Sequence, residues 1–167
     1  MFRLRSLNGG WQLIRMSAWR NKPVVLTNRQ VGYLQTVILD QAQKRVHALI
    51  VSRGIKGKCM VLPEQICHVS DCCILIDGMR KYERIRENQP CRFAVDTSGH
   101  LVGRVTDYVI DPENMAVNAI EIMPGYLPPE SGIRIWVYEY QRSMNAVHTL
   151  TVPALIGYEP TLSWEGI

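Results

Sequence analysis

The stretch that decides the fold is GYLQTVILD, Gly32–Asp40, because a related run, GRVTDYVID, returns at Gly103–Asp111. Each run follows a valine and closes on an aspartate. The likeness continues without a gap from VHALI at Val46–Ile50 to VNAIE at Val117–Glu121. An internal repeat of this kind predicts two copies of one structural unit.

Within the first copy, short runs of β-branched and apolar residues are separated by turn residues, which is typical of β-strands. These runs are Val24–Leu26, Val31–Leu39, Val46–Val51, Cys59–Leu62 and Cys73–Ile76. Many short strands with tight turns favour a small barrel, because closure leaves no sheet edge exposed. LPEQI at Leu62–Ile66 also resembles VPALI at Val152–Ile156, and the proline of each predicts a short helical turn. We therefore predict an all-β protein with two small antiparallel β-barrels in tandem and short helical turns.

The repeat also predicts the domain organisation. The predicted boundaries are 1–77 for the first barrel, 78–90 for a linker and 91–167 for the second barrel. Helical spacing within the linker predicts a short amphipathic helix. The linker residues with that spacing are Met79, Tyr82, Ile85 and Arg86. By the repeat register, the second copy has about 19 extra residues before Pro153, so we expect an inserted hairpin around residues 124–150.

The pattern of the first copy resembles the PRC-barrel domain, a family named for the photosynthetic reaction-centre H subunit. Four features carry the resemblance: the run Arg15–Val25, the Gly32–Asp40 strand, the Val46–Val51 strand and the Leu62-Pro63 step. The family also includes the C-terminal domain of a 16S ribosomal RNA processing factor. The resemblance covers residues ~15–77 and, more loosely, 91–167. It implies a bacterial β-barrel adaptor that binds proteins or stabilises assemblies, with no catalytic residues to carry over.

Charge is divided unequally along the chain. Residues 1–89 carry fifteen Lys and Arg against six Asp and Glu, whereas residues 90–167 carry four against nine. Such asymmetry favours an anionic partner for the first half, or docking of one half on the opposite half of a second copy. The sequence has no apolar run long enough to span a membrane, no secretory-signal pattern at its start, and an odd number of cysteines. We therefore expect a cytoplasmic protein.

A cluster of thiols and one imidazole, Cys67, His68, Cys72 and Cys73, is the candidate metal site. Zinc sites use such ligands, but as two separated pairs, and adjacent residues of a strand point to opposite faces. We therefore expect no metal here. The four histidines lie in unrelated contexts, and neither a Gly-x-Ser-x-Gly elbow nor a phosphate-binding loop occurs. We expect no catalytic residues and no cofactor.

The predicted partner-binding surface lies in the second copy. In GIRIWVYEYQR, Gly132–Arg142, strand alternation places five side chains on one face and Ile133, Ile135 and Val137 on the other. The five are Arg134, Trp136, Tyr138, Tyr140 and Arg142. Aromatic and Arg side chains concentrate binding energy in protein interfaces, and they also stack on RNA bases. Packing of this face on its own barrel is the structural alternative.

These features together predict a non-enzymatic adaptor that binds a protein partner or self-associates. The first alternative is a ribosomal RNA processing or ribosome-assembly factor that uses the basic first half, including Arg80, Lys81 and Arg84. The second is a small metal-binding or thiol enzyme that uses the Cys67–Cys73 cluster.

Overall fold

Two seven-stranded sheets make up the part of the chain that the computed structural model describes, residues 14–83, 90–125, 132–144, 146 and 148–153. Each sheet curls into a half-barrel, and helical structure in the described residues is confined to three 3-10 turns. The all-β class is confirmed. No helix among these residues has the length and apolarity of a membrane span.

The first sheet contains the strands of the first copy, in the order β6-β7-β2-β3-β4-β5-β8. Its strands are β2 (Pro23–Leu26), β3 (Arg29–Leu39), β4 (Val46–Ser52), β5 (Lys58–Val61), β6 (Ile66–Val69), β7 (Ile74–Ile76) and β8 (Arg80–Lys81). Short 3-10 turns at Gly54–Lys56 and Pro63–Gln65 lie on either side of β5. The helical turn expected after Pro63 is therefore present, although it ends at Gln65.

The second sheet contains the strands of the second copy, in the order β12-β11-β10-β9-β14-β13, with β1 paired to β10. Its strands are β1 (Ile14–Arg15), β9 (Phe93–Val95), β10 (Leu101–Ile110), β11 (Val117–Pro124), β12 (Ile135–Val137), β13 (Gln141–Arg142) and β14 (Thr149–Thr151). A 3-10 turn at Met16–Trp19 follows β1 and buries Trp19 completely. The first strand of the described residues thus joins the sheet of the second copy, and the division into two barrel domains stays a prediction.

The repeat seen in the sequence recurs as an identical pattern of strand pairing. The β3–β4 and β10–β11 hairpins have the same register, and each breaks that register at two equivalent places. The equivalent pairs include Leu34–Val51 with Val105–Ile122, Thr36–Ile50 with Asp107–Glu121, Val37–Leu49 with Tyr108–Ile120, and Leu39–Val46 with Ile110–Val117. Sequence likeness between these segments therefore reflects the same backbone geometry.

The glycine that opens each repeat allows a close approach between strands. A Cβ atom on Gly32 would lie 2.2 Å from the Ser52 carbonyl oxygen, and one on Gly103 would lie 2.2 Å from the Met123 carbonyl oxygen. Both distances are far below van der Waals contact, so only glycine fits at these two positions.

The pairing pattern corrects the alignment at the end of each copy. Trp136 pairs with Glu121 as Met60 pairs with Ile50, so β12 is the counterpart of β5 and not an added strand. The parallel pair β9–β14 likewise corresponds to β2–β7. Pro153 therefore follows the counterpart of β7, whereas Pro63 follows β5. The expectation that the Trp136 strand belongs to an inserted hairpin was wrong, because sequence likeness was too weak to align β5 with β12. The short helical turn predicted after Pro153 lies outside the described residues.

The start of the predicted linker is also different from expectation. Arg80–Lys81 forms β8, which pairs antiparallel with β5 through Cys59 and Met60, where a helix was predicted. Helical spacing was misleading here because hydrogen bonds to the open edge of β5 hold this segment extended. Residues 84–89, the rest of the predicted helix, lie outside the described residues.

The two halves share one core and meet at the tips of their long hairpins. A single cluster of buried side chains contains residues of both sheets, from Val24 to Leu150. At the tips, Arg45 and Ala116 form an antiparallel bridge. On either side of it, Val46 N–H donates to the Met115 carbonyl and Val117 N–H donates to the Lys44 carbonyl, both at 2.8 Å. These two bonds join equivalent residues reciprocally, which is the arrangement expected around a local two-fold axis.

Candidate interaction surface

The five residues predicted to share one strand face fall into separate groups. Strand β12 ends at Val137, so alternation along the strand does not reach Tyr140 or Arg142. Ile135 and Val137 are buried, as the pattern indicates for the opposite face, but Ile133 is exposed. Arg134 and Trp136 lie beside Glu121. Tyr140 and Arg142 contact the hairpin tip of the first half. Tyr138 belongs to neither group and is 62% exposed.

Glu121 is the centre of the first group. Its side chain is buried, and Arg15 donates a charge-assisted hydrogen bond to its Oε2 atom. Thr106 Oγ1 donates to Oε1 at 2.8 Å, and Arg134 Nε lies 3.7 Å from the same oxygen. The Arg15 guanidinium also lies over the Trp136 ring, 5.0 Å from its centroid. A buried carboxylate is costly unless it is paired, so these contacts stabilise the fold, and one side of Trp136 is occupied within the chain.

A second acidic side chain, Asp107, lies directly opposite Glu121 in the β10–β11 pair. It accepts hydrogen bonds from the Ser17 N–H at 3.1 Å, from the Ser17 hydroxyl and from the Tyr108 N–H at 2.8 Å. Ser17 and Asp107 line a cleft of about 340 Å³ between the two halves. Among the described residues lining this cleft there is no histidine to act as a general base, so the Ser17–Asp107 pair lacks the middle member of a hydrolytic triad.

The second group is built around Gln43, at the tip of the β3–β4 hairpin. Gln43 has no exposed surface and adopts a positive φ of 61°. The Tyr140 hydroxyl donates to its main-chain oxygen at 2.7 Å, and the Tyr108 hydroxyl donates to its Oε1 atom at 2.9 Å. The Cys91 N–H donates to Oε1 at 3.3 Å. Burial raises the pKa of both tyrosines well above the usual range, so both phenols stay protonated donors. Tyr140 is therefore a core residue that joins the two halves.

Lys44, the next residue, separates two adjoining clefts at the surface. One, of about 620 Å³, is lined by Gln41, Arg142 and Met144 among others; the second, of about 580 Å³, includes Tyr138 in its lining. We call the two clefts together the Lys44 groove. The Lys44 ammonium lies 3.4 Å from the Tyr140 ring centroid, and partial burial lowers the pKa of this amine, although the nearby Asp40 and Glu139 carboxylates oppose the shift.

The rim of the Lys44 groove carries exposed apolar surface. Tyr138 and Met144 are 62% and 98% exposed, whereas the groove floor is fixed by Tyr140 and by the Arg142 guanidinium, which donates to the Gln41 carbonyl at 2.8 Å. Exposed aromatic and methionine side chains on a rigid base are typical of protein-binding surfaces. Of the five residues predicted to bind a partner, Tyr138, Tyr140 and Arg142 line this groove, and Arg134 and Trp136 do not.

The cysteine cluster differs from the sequence expectation in one respect. β7 begins at Ile74, so Cys72 and Cys73 lie in the turn after β6 and not in a strand. Their Sγ atoms are 3.9 Å apart, where the sequence predicted opposite faces. Cys67 and His68 are exposed on β6. Within the described ranges there is no group of three or more His, Cys, Asp or Glu arranged to hold a metal ion.

Sequence reasoning missed Gln43, Asp107, Glu121 and Arg15 as structurally coupled residues. The repeat held a signal for two of them. Asp107 and Glu121 replace Thr36 and Ile50 of the first copy at positions where the pairing is the same. Acidic residues at strand positions that are neutral in the other copy require partners, but the sequence did not indicate that Arg15 and Ser17 supply them.

No protein-family model matches this chain, and no curated protein matches it significantly.

Proposed function

We propose that this protein is a non-enzymatic, cytoplasmic interaction module of bacterial origin, built from two PRC-like barrels, which binds a protein partner or a second copy of itself. The observation that carries the proposal is the Lys44 groove, with exposed Tyr138 and Met144 above a hydrogen-bonded base. Rigid placement of exposed aromatic surface lowers the entropy cost of association. The groove lies where the two halves meet, so its shape depends on the tandem arrangement.

Self-association is the form of the proposal that the charge division supports. The first half carries a net positive charge and the second a net negative charge, so opposite halves of two copies attract each other. We expect sedimentation velocity to show a concentration-dependent oligomer that weakens as salt is raised, because salt screens this attraction. A chain that remains monomeric at low salt and high concentration contradicts self-association.

Tyr138→Ala tests the groove itself, with Tyr33→Ala as the matched control, because Tyr33 is similarly exposed, at 52%, in the first sheet. For a residue at the centre of an interface we expect a loss of about 2 kcal/mol, or about thirtyfold in affinity. If the chain is monomeric, a photo-crosslinking residue at position 138 or 33 identifies partners, and affinity is then measured with the purified partner. Equal affinity of the Tyr138→Ala variant and the wild type overturns the assignment of the groove.

A second candidate function, binding of ribosomal RNA, is supported by a basic cleft in the first sheet. This cleft, of about 330 Å³, has Arg29, Arg53 and Lys56 in its lining, and no carboxylate occurs among its described lining residues. Arg53 Nε is buried and has no hydrogen-bond partner in the described part of the chain. Arg29 and Lys56 of the same cleft are exposed, and cationic side chains of this kind pair with the phosphates of RNA.

RNA affinity measured over a range of salt concentrations distinguishes the two functions. If the cleft binds phosphate, the logarithm of the RNA affinity falls linearly with the logarithm of the salt concentration. The size of this slope reports the number of counterions released on binding, and Arg53→Gln is expected to reduce it by about one. The matched control is Arg104→Gln, which removes one charge from an exposed position on the second sheet. Equal slopes for the two variants exclude the cleft as an RNA site.

A further inference from the structure

The turn between β6 and β7 brings two thiols together on the protein surface. Ser70 N–H donates to the Cys73 carbonyl at 2.9 Å and closes a four-residue turn. Lys22 donates from Nζ to the carbonyl oxygens of Ser70 and Asp71, at 2.6 and 2.8 Å, and so holds the turn against the start of β2. Because this backbone is not extended, the side chains of Cys72 and Cys73 point to the same side.

The surroundings of Cys72 favour its thiolate form. The Ser70 hydroxyl lies 3.2 Å from Cys72 Sγ, and Cys73 Sγ lies 3.9 Å away. Hydrogen-bond contacts with the Ser70 hydroxyl and then the Cys73 thiol, and to a smaller extent the positive charge of Lys22, lower the pKa of the Cys72 thiol. Cys72 is exposed, so an oxidant has access to it. An accessible thiolate beside a second thiol is the arrangement found in redox-sensitive cysteine pairs.

We propose that Cys72 and Cys73 form a peroxide-reactive dithiol, in which Cys72 attacks a hydroperoxide and Cys73 converts the product into a disulfide. In the first step the Cys72 thiolate attacks the terminal peroxide oxygen, the O–O bond breaks, and an alcohol or water leaves after taking up one proton. The sulfur is oxidised by two electrons to a sulfenic acid and the peroxide is reduced. In the second step Cys73 Sγ attacks Cys72 Sγ, the S–O bond breaks, and hydroxide leaves with the Cys73 proton as water.

The resulting disulfide is expected to be easily reduced. Adjacent Cα atoms across a trans peptide are about 3.8 Å apart, whereas disulfides ordinarily join Cα atoms at least about 4.4 Å apart. The ring is therefore strained, and strained disulfides have high reduction potentials. Oxidation at this turn is thus a reversible modification rather than a structural cross-link.

The other cysteines provide internal controls. Cys59 and Cys91 are buried, and burial raises the pKa of both thiols, so neither is expected to react in the folded protein. Cys67 is exposed on β6, which makes it the reference for accessibility without a neighbouring turn of this kind.

The first test is a brief pulse of iodoacetamide on the reduced full-length protein at pH 7, read by tandem mass spectrometry. We expect Cys72 to be alkylated about tenfold faster than Cys67, because the thiolate is the reacting species. Lys22→Gln is expected to move the pH midpoint of Cys72 alkylation upward, and Lys56→Gln to leave it unchanged. Equal alkylation rates at Cys72 and Cys67, or an unchanged midpoint in Lys22→Gln, overturn the proposed activation.

The second test treats the same protein with hydrogen peroxide. We expect a loss of about 2 Da, two hydrogen atoms, located by fragment ions to Cys72 and Cys73 and reversed by dithiothreitol. The loss is expected to persist in Cys67→Ser, and Cys73→Ser is expected to accumulate a dimedone adduct on Cys72. If the disulfide is lost in Cys67→Ser, Cys67 takes part in it, and the assignment of the disulfide to Cys72 and Cys73 is overturned. Absence of both the disulfide and the adduct overturns the proposal as a whole.

Discussion

Tyr140→Phe tests whether Tyr140 joins the two halves. The substitution removes only the hydroxyl that donates to the Gln43 main-chain oxygen at 2.7 Å, and it keeps the aromatic ring. Gln43 has no exposed surface, so water does not readily replace the lost donor. The chain is therefore left with a buried carbonyl that has lost a hydrogen bond, at the point where the β3–β4 hairpin enters the second half.

The magnitude follows from that geometry. An unsatisfied buried polar group costs about 1–3 kcal/mol of unfolding free energy. With a urea m value of about 2 kcal/mol/M, the midpoint of unfolding is expected to fall by about 0.5–1.5 M. Urea unfolding followed by tryptophan fluorescence and by circular dichroism measures the shift, and agreement between the two signals checks that the transition is cooperative.

Tyr138→Phe is the matched control for this measurement. It removes a hydroxyl from a tyrosine two positions away that is 62% exposed, so we expect a change below about 0.5 kcal/mol. Equal midpoints for Tyr140→Phe and Tyr138→Phe would refute the reasoning, because the Gln43 hydrogen bond would then contribute nothing to stability.

Three further predictions concern pH, the repeat and the halves. Burial raises the pKa of Tyr140 in the folded state, so the contribution of Tyr140 to stability is full below about pH 10. Above that pH the contribution is lost, because the tyrosine ionises more readily in the unfolded chain. The urea midpoint should therefore fall less above about pH 10 in Tyr140→Phe than in the wild type. Gly103→Ala should cost about 1–3 kcal/mol or more in urea unfolding through a backbone clash, whereas Gly125→Ala, with only ordinary contacts, should cost little. A fragment of residues 91–167 lacks Arg15, the cation that pairs with the buried Glu121. We therefore expect circular dichroism of this fragment to show no cooperative unfolding. A cooperative transition would contradict the dependence of the second half on Arg15.

Local patterning predicted five of the seven strands of the first sheet to within about two residues, but it missed β6 and β8, where helical structure was expected. β3 was predicted as Val31–Leu39 and spans Arg29–Leu39, and β4 was predicted as Val46–Val51 and spans Val46–Ser52. The repeat was predictable for the same reason, because apolar alternation and a required glycine recur together. These are properties of neighbouring residues, which a sequence displays directly.

Contacts between distant segments were not predictable in this way. Arg15 and Glu121 are far apart in the sequence, and so are Gln43 and Tyr140, and nothing local to any of them indicates its partner. Alternation was extended through Tyr140 because the aromatic and arginine pattern continues after β12 ends. The structure shows that a bend at Tyr138 interrupts the strand, after which Tyr140 is buried in the core while Glu139 and Gln141 are exposed.

The differences between the two copies identify where the second half has acquired its own chemistry. In the first sheet, Ile38, Ile50 and Met60 form an apolar cluster on one face. Their counterparts in the second sheet are Val109, Glu121 and Trp136. Since the backbone pairing is the same in both sheets, the fold itself does not require a carboxylate at this place. A buried carboxylate lowers stability unless cations and donors match it, and the principal cation, Arg15, comes from β1. The second half is therefore not a self-sufficient copy of the first, because the electrostatic balance of its outer face depends on a strand that the first half of the sequence supplies.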